Sequence, residues 1–325
     1  VWLACLLWLP ASVDAAVHHA LEVTVDTGRG YIEVTDSITV AADSARDLEI
    51  ALHPGLTPEM LTDGVGLAAI GLEAGAPPPA QADAAGSAAP EPARYRVELP
   101  AGETRFTLRY HGQIQHQLQQ AGEEYARGFR ETAGTITPQG VFLAGSSFLY
   151  PHIKGELLTF DLSLRLPQGW YGMSQCDRGL HEDRTEHVLE QWRCDSPQQE
   201  IYLVAGQFTE YTRAANGVQA LVLLRQPDPG LAQKYLDATI DYVRLYSELI
   251  GPYPYKQFAL VENFWETGYG MPSFTLLGSR VIRFPFILAS SYPHEILHNW
   301  WGNSVFVDYE TCLLYTSDAA DDNRL

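Results

Sequence analysis

The chain has 325 residues, 46% of them hydrophobic, and 40 Asp and Glu against 21 Lys and Arg give a formal net charge of -19. Its length suggests about two domains, and its apolar content is that of a globular protein with a sizeable core. So acidic a chain argues against nucleic acid or an anionic membrane surface as partner, since both need a basic face.

Residues 1–15 read VWLACLLWLPASVDA. An apolar run from Val1 to Pro10 precedes Val13-Asp14-Ala15, whose small residues suit signal peptidase, and the run is too short to cross a bilayer as a helix. Neither an initial Met nor a basic segment precedes it. We therefore expect a partial signal peptide over 1–15 and an exported protein, periplasmic or secreted; the alternative is a buried N-terminal helix. No other stretch approaches membrane-spanning length, so we expect no stable transmembrane segment.

From Ala20 to about Arg213 apolar and polar residues alternate at period two. ALEVTVD, YIEVTDSITV, DLEIALH, RYRVELP, TRFTLRYHGQI, LTFDLSLRLP and IYLVAGQFTEYTR all do so between Gly, Pro and Asp turn signals. Short antiparallel strands of this kind predict an all-β domain of two layers over 16–215. Within it, residues 74–93 (AGAPPPAQADAAGSAAPEPA) are low-complexity Ala and Pro and read as a long flexible loop.

Cys176 and Cys194 flank an apparent hairpin, WYGMSQC and EHVLEQWRC, joined by the polar stretch DRGLHEDRT. In an exported protein they most simply form one disulfide, the alternative being two buried thiols. His181 and His187 lie in a segment too polar to suggest a metal site.

The character changes after Asn216. VQALVLL reads as a strand, and DPGLAQKYLDATIDYVRLYSELIG as a helix with Pro229 near its start and Gly251 at its end. Leu231, Tyr235, Ile240, Val243, Tyr246 and Leu249 mark its apolar face. GPYPYKQFALVENF follows as a turn and strand, SFTLLG and VIRFPF as two further strands, and Ser290 or Ser291 as the cap of a helix carrying YPHEILHNWW. Residues 216–311 thus predict the start of an α/β domain.

HEILHNWWGN, residues 294–303, carries the chemistry. On a helix, positions i and i+4 share a face, so His294 and His298 can offer their imidazoles to one zinc ion. Glu295, beside the first ligand, can accept a proton from the activated water rather than bind the metal. An amphipathic helix with two surface histidines is the alternative. The apolar neighbours Ile296, Leu297, Trp300 and Trp301 favour enclosure, and enclosed polar groups need partners.

HEILHNWWGN also resembles the HExxH-x-W-[FW]-G-N signature of the M1 zinc metallopeptidases, the gluzincin aminopeptidase-like family. The order of a β domain, a helix ending in ELIGPYPY, a strand FALVEN and Gly270-Met271 before the zinc helix is similar too. The resemblance implies a saddle-like N-terminal β domain followed by a thermolysin-like α/β catalytic domain. It also implies Zn2+ as cofactor on His294 and His298, Glu295 as catalytic base, and a peptide substrate. Gly270 and Met271 would then line the cleft with backbone groups that align a peptide as an added strand.

Two departures bear on this expectation. The family's G-x-M-E-N element sets a glutamate against the substrate's free amine, and Pro272 stands at that position here. Glu262 and Glu266 could supply a substitute carboxylate; the alternative is that they are ordinary loop acids. The family's third ligand is a glutamate roughly eighteen residues beyond the second histidine, a count that falls on Ser317. Residues 312–325 belong to a different kind of sequence: Cys312 to Asp322 match one reading frame of a common transposase sequencing adapter. Glu310 comes too early to take the ligand's place.

Two functions follow as expectations. The first is an exported, zinc-dependent peptidase of which this chain is an incomplete and inactive part. The second is a non-catalytic relative that uses its β domain and cleft for binding or scaffolding.

Overall fold

The computed structural model describes residues 15–41, 47–70, 91–120 and 130–306. Most of the expected signal segment, most of the Ala/Pro stretch, Glu310 and the tail 312–325 lie outside the described residues.

The first half is built of strands. In chain order they are β1 (Val17–Asp26), β2 (Tyr31–Val40), β3 (Asp47–Leu52), β4 (Leu56–Met60), β5 (Gly66–Ile70), β6 (Ala93–Glu98), β7 (Arg105–Gln113) and β8 (Gln119–Gln120). There follow β9 (Arg130–Glu131), β10 (Thr135–Thr137), β11 (Gly140–Leu143), β12 (Leu158–Leu166), β13 (Tyr171–Met173), β14 (Asp177–Asp183), β15 (Val188–Gln198) and β16 (Leu203–Gly206). The second half holds β17 (Thr209–Ala215), β18 (Val218–Leu224), α1 (Pro229–Leu249), β19 (Gln257–Asn263), β20 (Gly268–Met271), β21 (Phe274–Gly278) and α2 (Ser291–Leu297).

A seven-stranded sheet in the order β14-β15-β12-β1-β2-β7-β4 carries the first core. The period-two pattern places Val17, Leu21, Val23 and Val25 of β1 and Ile32, Val34 and Ile38 of β2 on its buried face. The same period turns Asp36 inward, where His19 Nδ1 lies 2.7 Å from its Oδ2. The antiparallel pattern expected from the hairpins has one exception in this sheet, since β1 pairs β12 in parallel. A three-stranded sheet, β3-β6-β5, and a four-stranded sheet, β10-β11-β16-β13, complete the layers, with a small β8-β9 ribbon.

The second half forms a five-stranded sheet, β17-β18-β19-β21-β20. Its three inner strands are parallel, and β17 and β20 pair antiparallel at the edges. Every residue of β19 and β21 is buried, as a parallel sheet covered on both faces requires. Leu221, Leu223, Ala259, Val261 and Leu276 pack into the first core. Ala220, Val222, Phe258, Leu260 and Leu277 face a second core shared with Tyr235 and Val243 of α1 and Tyr292 and Ile296 of α2. Among the described residues the molecule is thus mostly β, with several sheets and two α-helices, neither of them long and apolar enough to cross a membrane.

Several local expectations change. DRGLHEDRT is largely strand: β14 pairs β15, while β13 joins β16 in another sheet. Trp192 and Cys194 of β15 are buried, so its edge gains a partner despite that partner's polarity. IYLVAGQFTEYTR breaks between β16 and β17, and β17 already belongs to the second sheet, ahead of the change expected near residue 215. VIRFPF is no strand: it opens with a short 3-10 turn, Val281–Arg283, and a second, Ile287–Ala289, follows it, because Pro285 lacks the N–H a ladder needs. The N-cap Ser290 makes no capping bond; its hydroxyl donates to Phe286 O at 2.8 Å instead. On α1 the N-cap is Asp228, which accepts from Leu231 N at 2.9 Å. The predicted apolar stripe is partly displaced: Tyr235 and Val243 are buried, but Leu249 is 72% exposed.

Candidate active site

α2 is short because Ser290, its N-cap, leaves the first turn uncapped and the chain tightens into turns after Leu297. The helical register nevertheless persists across the motif, since His298 N–H donates to His294 O at 3.2 Å. Ile296 and Trp300 anchor one side in the second core, and the Trp300 indole N–H donates to Gly251 O at 3.1 Å. Trp301, by contrast, is 46% exposed. His294, Glu295 and His298 are left half-buried on the opposite side, where the i, i+4 spacing brings the two imidazoles together.

Their Nε2 atoms lie 3.2 Å apart, with the rings nearly perpendicular. Two nitrogens bound to one tetrahedral zinc at the usual ~2.05 Å would be separated by about 3.3 Å. The His298 Nδ1 lies 3.4 Å from Trp301 O. A carbonyl can only accept, so in that contact His298 Nδ1 would be the donor. The pair therefore fits two corners of a zinc site. Among the described residues no group of three or more His, Cys, Asp or Glu is placed to hold a metal.

The floor of the site is β20, an edge strand. Tyr269 stacks on Phe142 and Met271 is buried in the first core, so alternation turns Gly270 towards α2. An ideal Cβ at Gly270 would come within 2.3 Å of Glu295 Oε2 and 3.3 Å of His298 Cδ2. Any side chain there would contest the glutamate's position. The structure thus brings His294, Glu295, His298 and Gly270 together. Met271 follows in the strand, but its side chain points away from the site.

The two acids that sequence reasoning offered as substitutes lie elsewhere. Glu262 is in strand β19 rather than a loop and is 2% exposed. Its Oε2 accepts from Arg225 N at 2.7 Å and its Oε1 from Arg283 Nη1 at 2.8 Å. Glu266 Oε1 accepts from Arg280 N at 3.1 Å, and its other oxygen presses against Gly278 at the far end of the β20–β21 hairpin. Cys176 and Cys194 are joined by a disulfide with a Cα–Cα distance of 5.2 Å.

Sequence reasoning missed Asn299 and two tyrosines. Asn299 is fully buried and hydrogen-bonds both α2 and the turn after β20. Tyr253 Oη sits 3.2 Å from its Oδ1, and burial raises that hydroxyl's pKa, keeping it a donor. Tyr255, pushed up to about 12 chiefly by burial, donates to Asn303 O. The available signal was an amide residue beside two tryptophans on a helix otherwise rich in apolar side chains.

No family model and no curated protein sequence matches the chain. Solved structures do. The M1 zinc metallopeptidase from Deinococcus radiodurans aligns with a TM-score of 0.63 and 15% identity, covering 90% of this chain. A mutant of that enzyme bound to a Tyr-Ser-Ala substrate gives 0.61 and 15%, with 90% of this chain and 66% of its own. Native yeast LTA4 hydrolase gives 0.60 and 13%, with 91% of this chain and 47% of its own. The chain therefore has a fold shared with M1 zinc metallopeptidases, and it spans 65% of the length of the Deinococcus enzyme.

Proposed function

We propose that the protein to which this chain belongs is an exported, zinc-dependent peptidase that hydrolyses peptide bonds with a metal-activated water. On this reading the first half is the saddle-like β domain of the M1 enzymes, and the five-stranded sheet with α1 and α2 opens a thermolysin-like catalytic domain. The observation that carries the reading is the convergence of the His294 and His298 Nε2 atoms at 3.2 Å beside Glu295, against a glycine that leaves the carboxylate room.

His294 and His298 would hold the metal. Zinc, when bound, supplies a Lewis acid that brings the pKa of water towards neutrality and polarises a carbonyl. Glu295 takes the proton from the attacking water and passes it to the leaving amine, a role that general acid–base catalysis assigns to a carboxylate held within reach of both. The outer edge of β20 offers backbone groups to an extended peptide, which would lie as an added strand beside Gly270.

Two histidines alone would hold zinc weakly, and among the described residues no third ligand is placed beside them. The test uses the full-length protein expressed from its source gene. Titration with zinc should give one site per chain, lost in His294→Ala and His298→Ala. Tyr-Ser-Ala, the peptide bound to the Deinococcus mutant, is a suitable first probe of hydrolysis. Zinc binding that survives both histidine variants would overturn the assignment.

Pro272, standing where the aminopeptidases carry an amine-binding glutamate, favours a second reading, a non-catalytic relative that binds peptides or partners. Zinc bound at His294 and His298 without turnover on any peptide would select it.

A further inference from the structure

We propose that Asn299 is the positioning residue of this site, holding the Gly270 strand at a fixed distance from the His294–Glu295–His298 face and tying both to the Cys176–Cys194 disulfide. Its purpose rests on the hydrolytic reading above; its geometry does not.

Asn299 lies one residue past the second histidine and is fully buried. Its Nδ2 donates to Ile296 O at 3.0 Å and Glu295 O at 3.3 Å. These carbonyls belong to the last turn of α2; Ile296 O also accepts the Asn299 backbone N–H at 3.1 Å, so the side chain adds a second donor there. Its Oδ1 accepts Ser273 N–H at 2.7 Å and lies 3.2 Å from the Tyr253 hydroxyl. Only a side-chain amide supplies donors and an acceptor from one planar group. A leucine would strand polar groups on both sides, and a carboxylate would serve the turn but not the helix.

The turn needs such a hold. Ser273 has φ of +64°, a left-handed conformation uncommon outside glycine, and it follows Pro272, whose ring removes a backbone donor. Besides giving its N–H to Asn299, Ser273 accepts Cys176 N–H on its Oγ at 2.9 Å. Cys176 itself sits at φ of +69° and forms the disulfide to β15. A continuous line of bonds thus runs from the disulfide through Ser273 and Asn299 to the carbonyl of Glu295. Gly270 lies just upstream of the turn, and any added atom there would displace Glu295 Oε2. A shift of the turn would therefore change the gap in which the glutamate sits.

Hydrogen–deuterium exchange tests this without metal or turnover. Asn299→Ala should speed exchange across residues 268–278 about tenfold, because Ser273 N–H loses its buried acceptor, whereas the Tyr253 hydroxyl can still donate to Gln257 O at 3.0 Å. Rates in β1 and β2 should stay within about twofold of wild type. Asn299→Asp keeps the acceptor and should restore protection at Ser273 while removing the side-chain donor to the Glu295 and Ile296 carbonyls. Should Asn299→Ala not fold, Asn299→Ser, too short to reach turn and helix together, is read in the same way. Unchanged rates at 268–278, or an equal rise along the whole chain, would overturn the proposal, as would failure of the Asp variant to restore Ser273. A full-length protein that hydrolyses no peptide would sink the functional reading and leave this result standing.

Discussion

Gly270 and Glu295 share one small space, and the consequence can be measured. A methyl group at residue 270 would meet Glu295 Oε2 at 2.3 Å, yet that oxygen ends a flexible side chain and can swing away. Gly270→Ala should therefore cost less than about 1 kcal/mol of stability and, on the proposed function, lower turnover of the full-length protein by about a hundredfold, since Glu295 is displaced from its proposed role as general base. Thermal unfolding and peptide hydrolysis together check this; full turnover in the alanine variant would show that Glu295 does not act from where it lies. A second residue-scale prediction concerns His53, far from the site. Burial first, and the neighbouring His116 second, hold its pKa down to about 4 from 6.5. Gly55 N–H donates to its Nδ1 at 2.9 Å, and its Nε2 lies 2.7 Å from His116 Nε2. Because the unfolded chain binds this proton first, the contribution to stability is full above about 6.5 and is lost as pH falls towards about 4. About 2 kcal/mol should disappear between pH 7 and pH 5. His53→Asn, which can still accept from Gly55, should flatten that part of the urea-unfolding profile; an unchanged slope would contradict it.

At the scale of elements, what the sequence made legible was what local periodicity controls. β1, β2, β12, β18, β19 and β21 fall where alternation or an apolar run placed them, and α1 begins at Pro229 as its start signals predicted. What escaped was set by distant partners. β14 is a polar strand whose only warrant is the edge of β15, and β20 is a glycine-rich segment that becomes a strand by pairing β21. VIRFPF has the composition of a strand and a proline that forbids one. The site shows the same division. His294, Glu295 and His298 were legible because their spacing is local, whereas Asn299, Tyr253 and the turn at Ser273 meet only after the sheet has formed. The partners of Glu262, offered as a substitute carboxylate, were not legible, because nothing local reveals Arg225 and Arg283 beside it. The disulfide belongs to this scale too. It closes a separation of 18 residues around β14, and loop-closure entropy at that length is worth about 3 kcal/mol. Reduction, or paired Cys176→Ser and Cys194→Ser substitutions, should lower unfolding free energy by about that amount; equal urea midpoints with and without reductant would contradict it.

Across the whole molecule, one sheet mediates between two cores. The five-stranded sheet gives one face to the β half and the other to α1 and α2, so the candidate site rests on structure from both halves of the chain. The edge strand β20 and the helix α2 meet at its rim. With a formal net charge of -19 the surface carries a strongly negative field, which draws cations and repels acidic peptides. The shared fold with M1 zinc metallopeptidases agrees with this arrangement, at 15% identity. On the proposed function, Glu295, beside the two histidines proposed to hold zinc, carries the proton of peptide hydrolysis. The most direct test is hydrolysis of a short unblocked peptide by the full-length protein with zinc, comparing wild type with Glu295→Ala at equal zinc content. We predict that the variant binds zinc as wild type does and loses about a hundredfold to ten-thousandfold in turnover. Turnover indifferent to the substitution, or indifferent to removal of zinc, would contradict the account.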